Sequence, residues 1–498
     1  MNRPLSALLA ALLFTGALPA QEPAQHVSAD TPAAELVALT LRQAVERALA
    51  ANFDVRIQRS NTDTARDEAV IAGADYAPVF SARAALSEDQ SAGGFNGTIP
   101  VPGTLFESRD SRIGVSQKIS TGATLTASSN LDRSQRNNTN PAYNADATLA
   151  VSQPLLKGAG RETNLAAIRR AELGIISADL GFKGTVLTVV RDVEAAYSRL
   201  VFSRNQLDVR AFSLEVAQKL AEENRAKRDS GVATDLDVLQ ADVGVANAQR
   251  DLLLAGQAVR DNEDTLLALI GGVAEQTVGP VALPEPAALP DADFARSYKL
   301  ALDNFPDHAD ALVAVDRARV NVGAARRNRL PDLDLGAAVG LNSQQNDATS
   351  AIDELPTGDG YSWQVDLTLT LPWGLQADRA RHRQALSELH RAETRLRQVD
   401  QDILVAVRAA VRAVETSREN VRITRLASEL SERQFDLEKA RYDAGLSTFR
   451  RVQEAREELD AARVNELQAQ VDLRVARADL ARLEGSTLDA YGIDLAQR

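Results

Sequence analysis

The sequence predicts an α+β membrane protein, in which a long α-helical coiled-coil barrel continues into a transmembrane antiparallel β-barrel that three chains share. Three observations lead to this fold. Two long proline-free stretches favour very long helices, short segments beside them alternate strictly between apolar and polar residues, and both features occur twice along the chain. Aromatic residues make up only 4% of the sequence, which favours extended helices over a compact aromatic core.

The first 20 residues have the pattern of a cleaved secretory signal peptide. Arg3 precedes an apolar run from Leu5 to Leu18, and small residues follow it. The alternative is a short buried helix. No other uninterrupted apolar run of about 20 residues occurs, so we expect an exported chain without a membrane-spanning helix, with an N-terminal tail at 21–38.

An internal duplication organises the rest of the chain. Asp229, Gly231, Thr234, Val238 and Ala241 recur without a gap as Asp443, Gly445, Thr448, Val452 and Ala455. Agreement over one continuous register indicates two structural repeats, which we place at 39–271 and 293–485. A connector with four Pro, 272–292, separates them, and 486–498 forms a C-terminal tail.

Each repeat is predicted to begin with a helix. The first opens at Thr40, whose side chain can cap the helix while Gln43 reaches back, and it runs to about Asp75. Its equivalent runs from about Asp293 to Asn328.

The long helices follow at about 163–228 and 377–442, where apolar residues step by three and four. At about 1.5 Å per residue each would be roughly 100 Å long. Two shorter helices stacked end to end match that length, which predicts a cylinder.

The strands are expected at about 78–155 and 331–373. In "WQVDLTLTLPW" the odd-numbered residues are apolar and the even-numbered ones from Gln364 to Thr370 are polar, so the two faces of the strand differ. The two Trp of the chain, Trp363 and Trp373, bracket this run like the aromatic girdle of an outer-membrane strand about 25 Å tall. A half-buried strand of a soluble sheet is the alternative.

Strand count bears on the number of chains. The first repeat has an extra hairpin that turns at Thr121 and Gly122, so one chain offers four to six strands. That is fewer than the roughly eight strands that close a barrel. Three chains would supply twelve strands, or eighteen if the extra hairpin joins the wall.

Several segments together resemble the TolC-like outer-membrane efflux protein family, also called outer membrane factors. They are "LTLRQAVERALAANFDV", "VSQPLLKGAGRETNL", "RNRLPDLDL" and the two G-x-x-T turns, and the similarity spans residues 36–485. The resemblance implies a homotrimeric channel-tunnel with its barrel in outer-membrane lipid and its helical barrel in the periplasm. It also implies export in a tripartite efflux or type I secretion assembly, with a periplasmic adaptor (membrane fusion) protein and an inner-membrane transporter as partners.

The resemblance also implies roles for the hairpin tips at about 229–234 and 443–448. The adaptor is expected to dock on six tip residues: Gly231, Val232, Thr234, Gly445, Leu446 and Thr448. The charges around the closed aperture are expected from four others: Asp235, Asp237, Arg451 and Glu454. Some members carry acidic residues in the second hairpin, where this chain has Arg451 and Glu454, so the charge of the aperture stays open.

The sequence offers little support for a catalytic, metal-binding or nucleic-acid-binding function. No nucleophile–base arrangement or cofactor fingerprint occurs, the four His do not pair at metal-ligand spacing, and "GAGRET" lacks the Lys of a phosphate-binding loop. A net charge of −13 argues against a nucleic-acid partner. We therefore expect no catalytic residues, no metal and no cofactor. The competing hypothesis is an envelope-anchored coiled-coil structural or adhesive protein without a through-channel.

Overall fold

The computed structural model describes residues 39–271 except 138, and residues 293–493 except 358, 372, 373 and 375. The predicted signal peptide, the N-terminal tail, the connector and the last residues of the C-terminal tail lie outside the described residues. Trp373 lies outside them too.

The secondary structure consists of long helices and one large sheet. The helices are α1 (Leu41–Ala51), α2 (Phe53–Ala74), α3 (Arg161–Asn164), α4 (Ala166–Asp229), α5 (Asp235–Leu269), α6 (Phe294–Asn304), α7 (Pro306–Arg327), α8 (Ala348–Glu354), α9 (Gln376–Asp443), α10 (Phe449–Glu484) and α11 (Thr487–Tyr491). The strands are β1 (Val79–Gln90), β2 (Gly94–Asn96), β3 (Ile99–Val101), β4 (Leu105–Lys118), β5 (Thr124–Arg136), β6 (Ala142–Pro154), β7 (Asp332–Gln345) and β8 (Tyr361–Thr370).

The long helices α4 and α9 have 64 and 68 residues, which corresponds to about 100 Å each. Helices α2, α1 and α5 pack along α4, and α7, α6 and α10 pack along α9. The Nδ2 of Asn52 donates to the carbonyl oxygen of Leu269 at 3.0 Å, where the end of α5 meets α1 and α2. The predicted arrangement of a long helix beside stacked shorter ones is confirmed.

The helix expected from Thr40 to about Asp75 is interrupted, and that part of the prediction is wrong. Its start is confirmed, since Thr40 and Gln43 form the capping box. Asn52, however, is extended and its side chain accepts from the backbone N–H groups of Asp54 and Val55, so it ends α1 and caps α2. In the second half Phe305 is extended in front of Pro306, because a residue before proline avoids the helical conformation.

The largest buried core joins α4 to α1 and α5. Val186, Val190 and Val193 of α4 pack there with Leu49 of α1 and Leu266 of α5. Among the described residues one helix, α4, is long and apolar enough to cross a membrane by length and composition. Asp179 and Lys183 lie within this stretch, so it is not an uninterrupted apolar run, and a chain without a membrane-spanning helix stays a prediction.

The sheet lies at the end of the long helices opposite the α4–α5 and α9–α10 turns. It has six antiparallel strands in the order β1-β4-β5-β6-β7-β8, and β2 and β3 form a separate small hairpin. The turn between β4 and β5 contains Gly122 with a φ of 97°, which agrees with the predicted hairpin at Thr121 and Gly122. Four strands of the first half, β1, β4, β5 and β6, thus lie in one sheet with β7 and β8 of the second half.

Candidate functional site

Two helix-hairpin tips lie side by side at one end of the molecule. The first joins α4 to α5 and the second joins α9 to α10. A small apolar core beneath them joins both hairpins, since Leu220, Ala221 and Ala241 of the first pack against Phe449 and Val452 of the second. The tips are therefore held by residues from both halves of the chain.

At the first tip the chain turns through Gly231, whose φ of 79° is accessible to glycine without strain. The backbone N–H of Val232 donates to the carbonyl oxygen of Lys227 at 2.8 Å, which closes the end of α4. This bond fixes the backbone of Val232 while its side chain stays 78% exposed. Thr234 then starts α5 and forms a capping box with Asp237.

The second tip has the same backbone and a different cap. Gly445 has a φ of 76°, and the N–H of Leu446 donates to the carbonyl oxygen of Arg441 at 2.8 Å. Leu446 is 73% exposed. Thr448 begins α10 without a side-chain cap hydrogen bond.

A buried polar contact ties the two hairpins together just behind the tips. The Tyr442 hydroxyl donates to Oδ1 of the fully buried Asn224 at 2.9 Å, and the Asn224 Nδ2 donates to the carbonyl oxygen of Leu220 at 2.8 Å. The Lys227 ammonium lies over the Tyr442 ring at 3.7 Å. Burial, together with the nearby carboxylates of Asp237 and others, raises the pKa of Tyr442, so the phenol keeps the proton that it donates.

The four expected aperture charges have different surroundings. Asp235 and Arg451 are exposed. The Asp237 carboxylate accepts from the backbone N–H and hydroxyl of Thr234, and Glu454 accepts from Arg450 at 2.8 Å. The hydroxyl and N–H of Thr234 hold the pKa of the Asp237 carboxyl below its ordinary value. Two of the four are thus engaged within their own helix.

At the opposite end, the sheet presents two faces of different chemistry. One row of directly facing residues on one side is Phe80, Val115, Ala127, Leu149, Val339 and Trp363. A row on the other side is Ser81, Gly114, Ser128, Thr148, Gly340 and Ser362. The apolar face is exposed, with Trp363 at 71%, and β8 ends at Thr370, before Trp373.

The contact between Asn224 and Tyr442 was not predicted from the sequence. The two residues lie 218 positions apart, so no local pattern joins them. The available signal was a pair of aromatic residues, Tyr442 and Phe449, on either side of a glycine turn, whose rings meet edge to face at 6.2 Å. In the described ranges no group of three or more His, Asp or Glu residues is placed to hold a metal ion.

Comparisons with known proteins agree with this geometry. The family described as "Outer membrane efflux protein" matches residues 118–272 and 297–486. The outer membrane efflux protein BepC of Brucella suis is 24% identical over 377 residues, which cover 75% of this chain and 79% of BepC. The pyoverdine export outer membrane protein OpmQ of Pseudomonas aeruginosa is 28% identical over 305 residues, 58% of this chain and 59% of OpmQ.

Solved structures resemble the fold across most of its length. The structure of the outer-membrane channel OprN superposes with a TM-score of 0.68 at 19% identity and covers 90% of both chains. At that identity the likeness concerns the fold, with its long helices and strand domain.

Proposed function

This chain belongs to the outer membrane efflux protein family, and we propose that three copies of it form an outer-membrane channel-tunnel for a tripartite efflux or type I secretion assembly. In this proposal the strands form a barrel in the outer membrane and the helices form a tunnel across the periplasm. A periplasmic adaptor meets the hairpin tips, and an inner-membrane transporter supplies the cargo.

The observation that carries the proposal is the two-faced sheet at the end of the long helices. On β7 and β8 the residues from Leu333 to Leu341 and from Trp363 to Leu369 that share one face are all apolar. The opposite face carries Asp332, Asp334 and Asp366. Carboxylates on a membrane strand need water, so this face suits an open lumen better than the filled interior of an adhesive or structural protein.

The edges of the chain support a ring of copies. The helices near the tips are adjacent in the order α5-α4-α10-α9, so α5 and α9 form the two edges of the layer. Both edges have exposed apolar stripes at coiled-coil spacing: Leu236, Leu239 and Val243 on α5, and Ile423, Leu426, Leu430 and Leu437 on α9. In a head-to-tail ring the α5 edge of one copy would cover the α9 edge of the next.

The tips are the proposed docking site and gate. Val232 and Leu446 are apolar side chains held out on closed glycine turns, so each can enter a groove of the adaptor at a small entropic cost. The six tip residues Gly231, Val232, Thr234, Gly445, Leu446 and Thr448 form the docking surface in this proposal. Asp235, Asp237, Arg451 and Glu454 lie next to it and would set the charge of the closed aperture.

A double substitution tests the docking surface. We expect Val232→Glu with Leu446→Glu to abolish export, because a charge cannot enter an apolar groove without a partner. The assembled channel should persist, since both side chains are exposed and contribute nothing to the core. The measurement is accumulation of a fluorescent efflux dye in cells whose chromosomal gene carries both changes.

Conservative changes at the same positions provide the control. Val232→Ile with Leu446→Met keeps the tips apolar and should leave dye export intact. A native gel of outer-membrane extracts reports the amount of assembled channel in each strain. Normal export by the doubly charged variant would contradict the docking surface.

A further inference from the structure

The extra hairpin of the first half, β4 and β5, is built into the middle of the sheet. β4 pairs with β1 on one side and with β5 on the other, and β5 pairs with β6. The pairing runs over most of each strand, from Phe106 to Lys118 along β4. The hairpin is therefore continuous with the strands that bear the membrane-facing pattern in the second half.

The same two-faced pattern extends across all six strands. A second row on the same side as Phe80 and Trp363 is apolar except for Ser129, and it consists of Ala82, Ile113, Ser129, Ala147, Leu341 and Tyr361. The side with Ser81 and Ser362 carries a row of Arg83, Arg112, Asn130, Asp146 and Asn342. Charged residues of β1, β4 and β6, and Asn130 of β5, thus lie on the face that holds Asp366 in β8, as expected if these strands line the same lumen.

We infer that all six strands of each chain belong to the barrel wall, and that β1 of one copy pairs with β8 of the next, so that three copies close a barrel of eighteen strands. This inference rests on the proposed trimer and specifies its membrane part. The interaction surface consists of the two outer edges of the sheet, and its partner is a second copy of this chain.

The edges of the sheet provide the physical reason. β1 and β8 are the terminal strands of the sheet, and within the described part of the chain no other strand pairs with the outer row of backbone N–H and C=O groups of either one. Such groups cannot face lipid, because hydrocarbon offers them no hydrogen-bond partner. Phe80 on β1 and Trp363 on β8 are 80% and 71% exposed, so both edges carry a lipid-compatible side chain up to the seam.

The direction of the strands and the position of the helices are compatible with this seam. β1 follows α2 and runs away from the helices, whereas β8 leads back to α9, so β1 and β8 of neighbouring copies would be antiparallel. First-half elements β1 and α5 lie at one edge of the chain, and second-half elements β8 and α9 lie at the other. One head-to-tail neighbour therefore closes both the sheet and the helical layer.

A barrel of eighteen strands has a much larger diameter than a barrel of twelve. With strands about 4.8 Å apart and tilted by about 40°, the backbone diameter is about 35 Å for eighteen strands and about 24 Å for twelve. The difference is large enough to be measured in a projection image of the purified channel.

Disulfide cross-linking tests the seam directly, because the chain has no Cys of its own. Ser81→Cys on β1 is combined in turn with Ser362→Cys, Gln364→Cys, Asp366→Cys and Thr368→Cys, which share the polar face of β8. A small scan is needed because a disulfide forms only when the two Cα atoms approach within about 7 Å. We expect at least one pair to give covalent dimers and trimers on a non-reducing gel.

The matched comparison places the Cys on β5 instead. Ser128 occupies the same row as Ser81 and Ser362. Because β1 pairs with β4 and not with β6, a twelve-stranded wall built from four adjacent strands that include β8 would consist of β5–β8, with β5 as its seam strand. The inference would be overturned if the Ser128→Cys pairs gave covalent trimers. It would also be overturned if neither series gave them.

A pair of Cys substitutions on two helices distinguishes failure of the inference from failure of the proposed trimer. Leu253 on α5 and Leu426 on α9 are exposed apolar residues at matching distances from their tips. Leu253→Cys with Leu426→Cys should give covalent trimers whichever strands form the wall. If this helical pair gives covalent trimers and no β1–β8 cross-link forms, only the eighteen-stranded wall is rejected. If the helical pair gives no covalent trimers, the proposed trimer is rejected as well.

Discussion

At the scale of single residues, the two hairpin tips differ in how their second helix is capped. Three hydrogen bonds join Thr234 and Asp237, whereas Thr448 makes no side-chain cap hydrogen bond. An uncapped helix end leaves backbone N–H groups to water and frays more easily. The first turn of α10 is therefore expected to open more often than the first turn of α5.

Removing the Thr234 hydroxyl should loosen the start of α5. We expect Thr234→Ala to cost about 1 kcal/mol of local stability, the usual effect of losing a threonine cap. Amide hydrogen exchange over residues 235–238 measures it. Thr448→Ala is the matched control, and its expected effect is a few tenths of a kcal/mol at most. Equal effects at the two sites would contradict the asymmetry.

The same cap makes the first tip sensitive to acid. The folded pKa of Asp237 lies below its ordinary value because Thr234 donates to the carboxylate. Its contribution to stability is therefore complete above the ordinary carboxyl pKa of about 4 and is lost as the pH falls through the lowered pKa. Exchange at the start of α5 should accelerate in that acidic window beyond the intrinsic rate, and Thr234→Ala should reduce this pH dependence.

At the scale of elements, the contact between Asn224 and Tyr442 couples the α4–α5 hairpin to the α9–α10 hairpin. It lies beside apolar contacts around Phe449 and Val452 and is one of several polar contacts between the hairpins, which include the Lys227–Asp443 ion pair at 4.0 Å and the Ser213 hydroxyl that donates to Asp460. A gate that opens by separating the hairpins must break it.

Tyr442→Phe should favour the open gate. The change keeps the ring and its packing and leaves the buried Oδ1 of Asn224 without its donor, which costs about 1–3 kcal/mol. The expected result is a higher mean single-channel conductance in planar bilayers. Phe435→Tyr adds a hydroxyl at a neighbouring ring and should leave the conductance near that of the unaltered channel. An unchanged conductance in Tyr442→Phe would show that the contact does not hold the gate.

Periodic patterns in the sequence predict most of the helices and strands. Polar contacts, whether between neighbouring or distant residues, could not be predicted from such patterns. The alternation in β7 and β8 comes from two faces of different chemistry, and the apolar spacing in α4 and α9 comes from burial on one face. Both leave a periodic pattern in the sequence. The interruption at Asn52 depends on one side chain capping a new helix inside a periodic run. The β2–β3 hairpin was also missed, although Asn96 and Gly97 are a recognised turn pair.

At the scale of the whole molecule, the single chain exposes surfaces that are suited to contact with further copies. Apolar stripes on α5 and α9 and the free edges of β1 and β8 are suited to contact with another copy. The internal duplication remains a prediction, although both halves contain the same order of helix, strands, long helix and shorter helix.

Charges on the α5 stripe should prevent the ring from closing. Leu239→Glu is expected to reduce the trimer fraction strongly, because each of three seams would lose about 1.5–3 kcal/mol of apolar burial and gain a carboxylate without a partner. Mass photometry of the detergent-purified protein measures the fraction. Phe212→Glu, an exposed site on the inner helix α4, is the control and should leave the trimer intact. Equal loss of trimer in both variants would argue against α5 as a seam.

The unpaired edges of β1 and β8 also bear on biogenesis. A lone chain has no stable state in a bilayer if two rows of its backbone polar groups must face hydrocarbon. Insertion and oligomerisation would then be one kinetic event whose rate depends steeply on how many chains arrive together. Underexpression should therefore lower the yield of channels more than proportionally, with the surplus chains left to periplasmic chaperones and proteases.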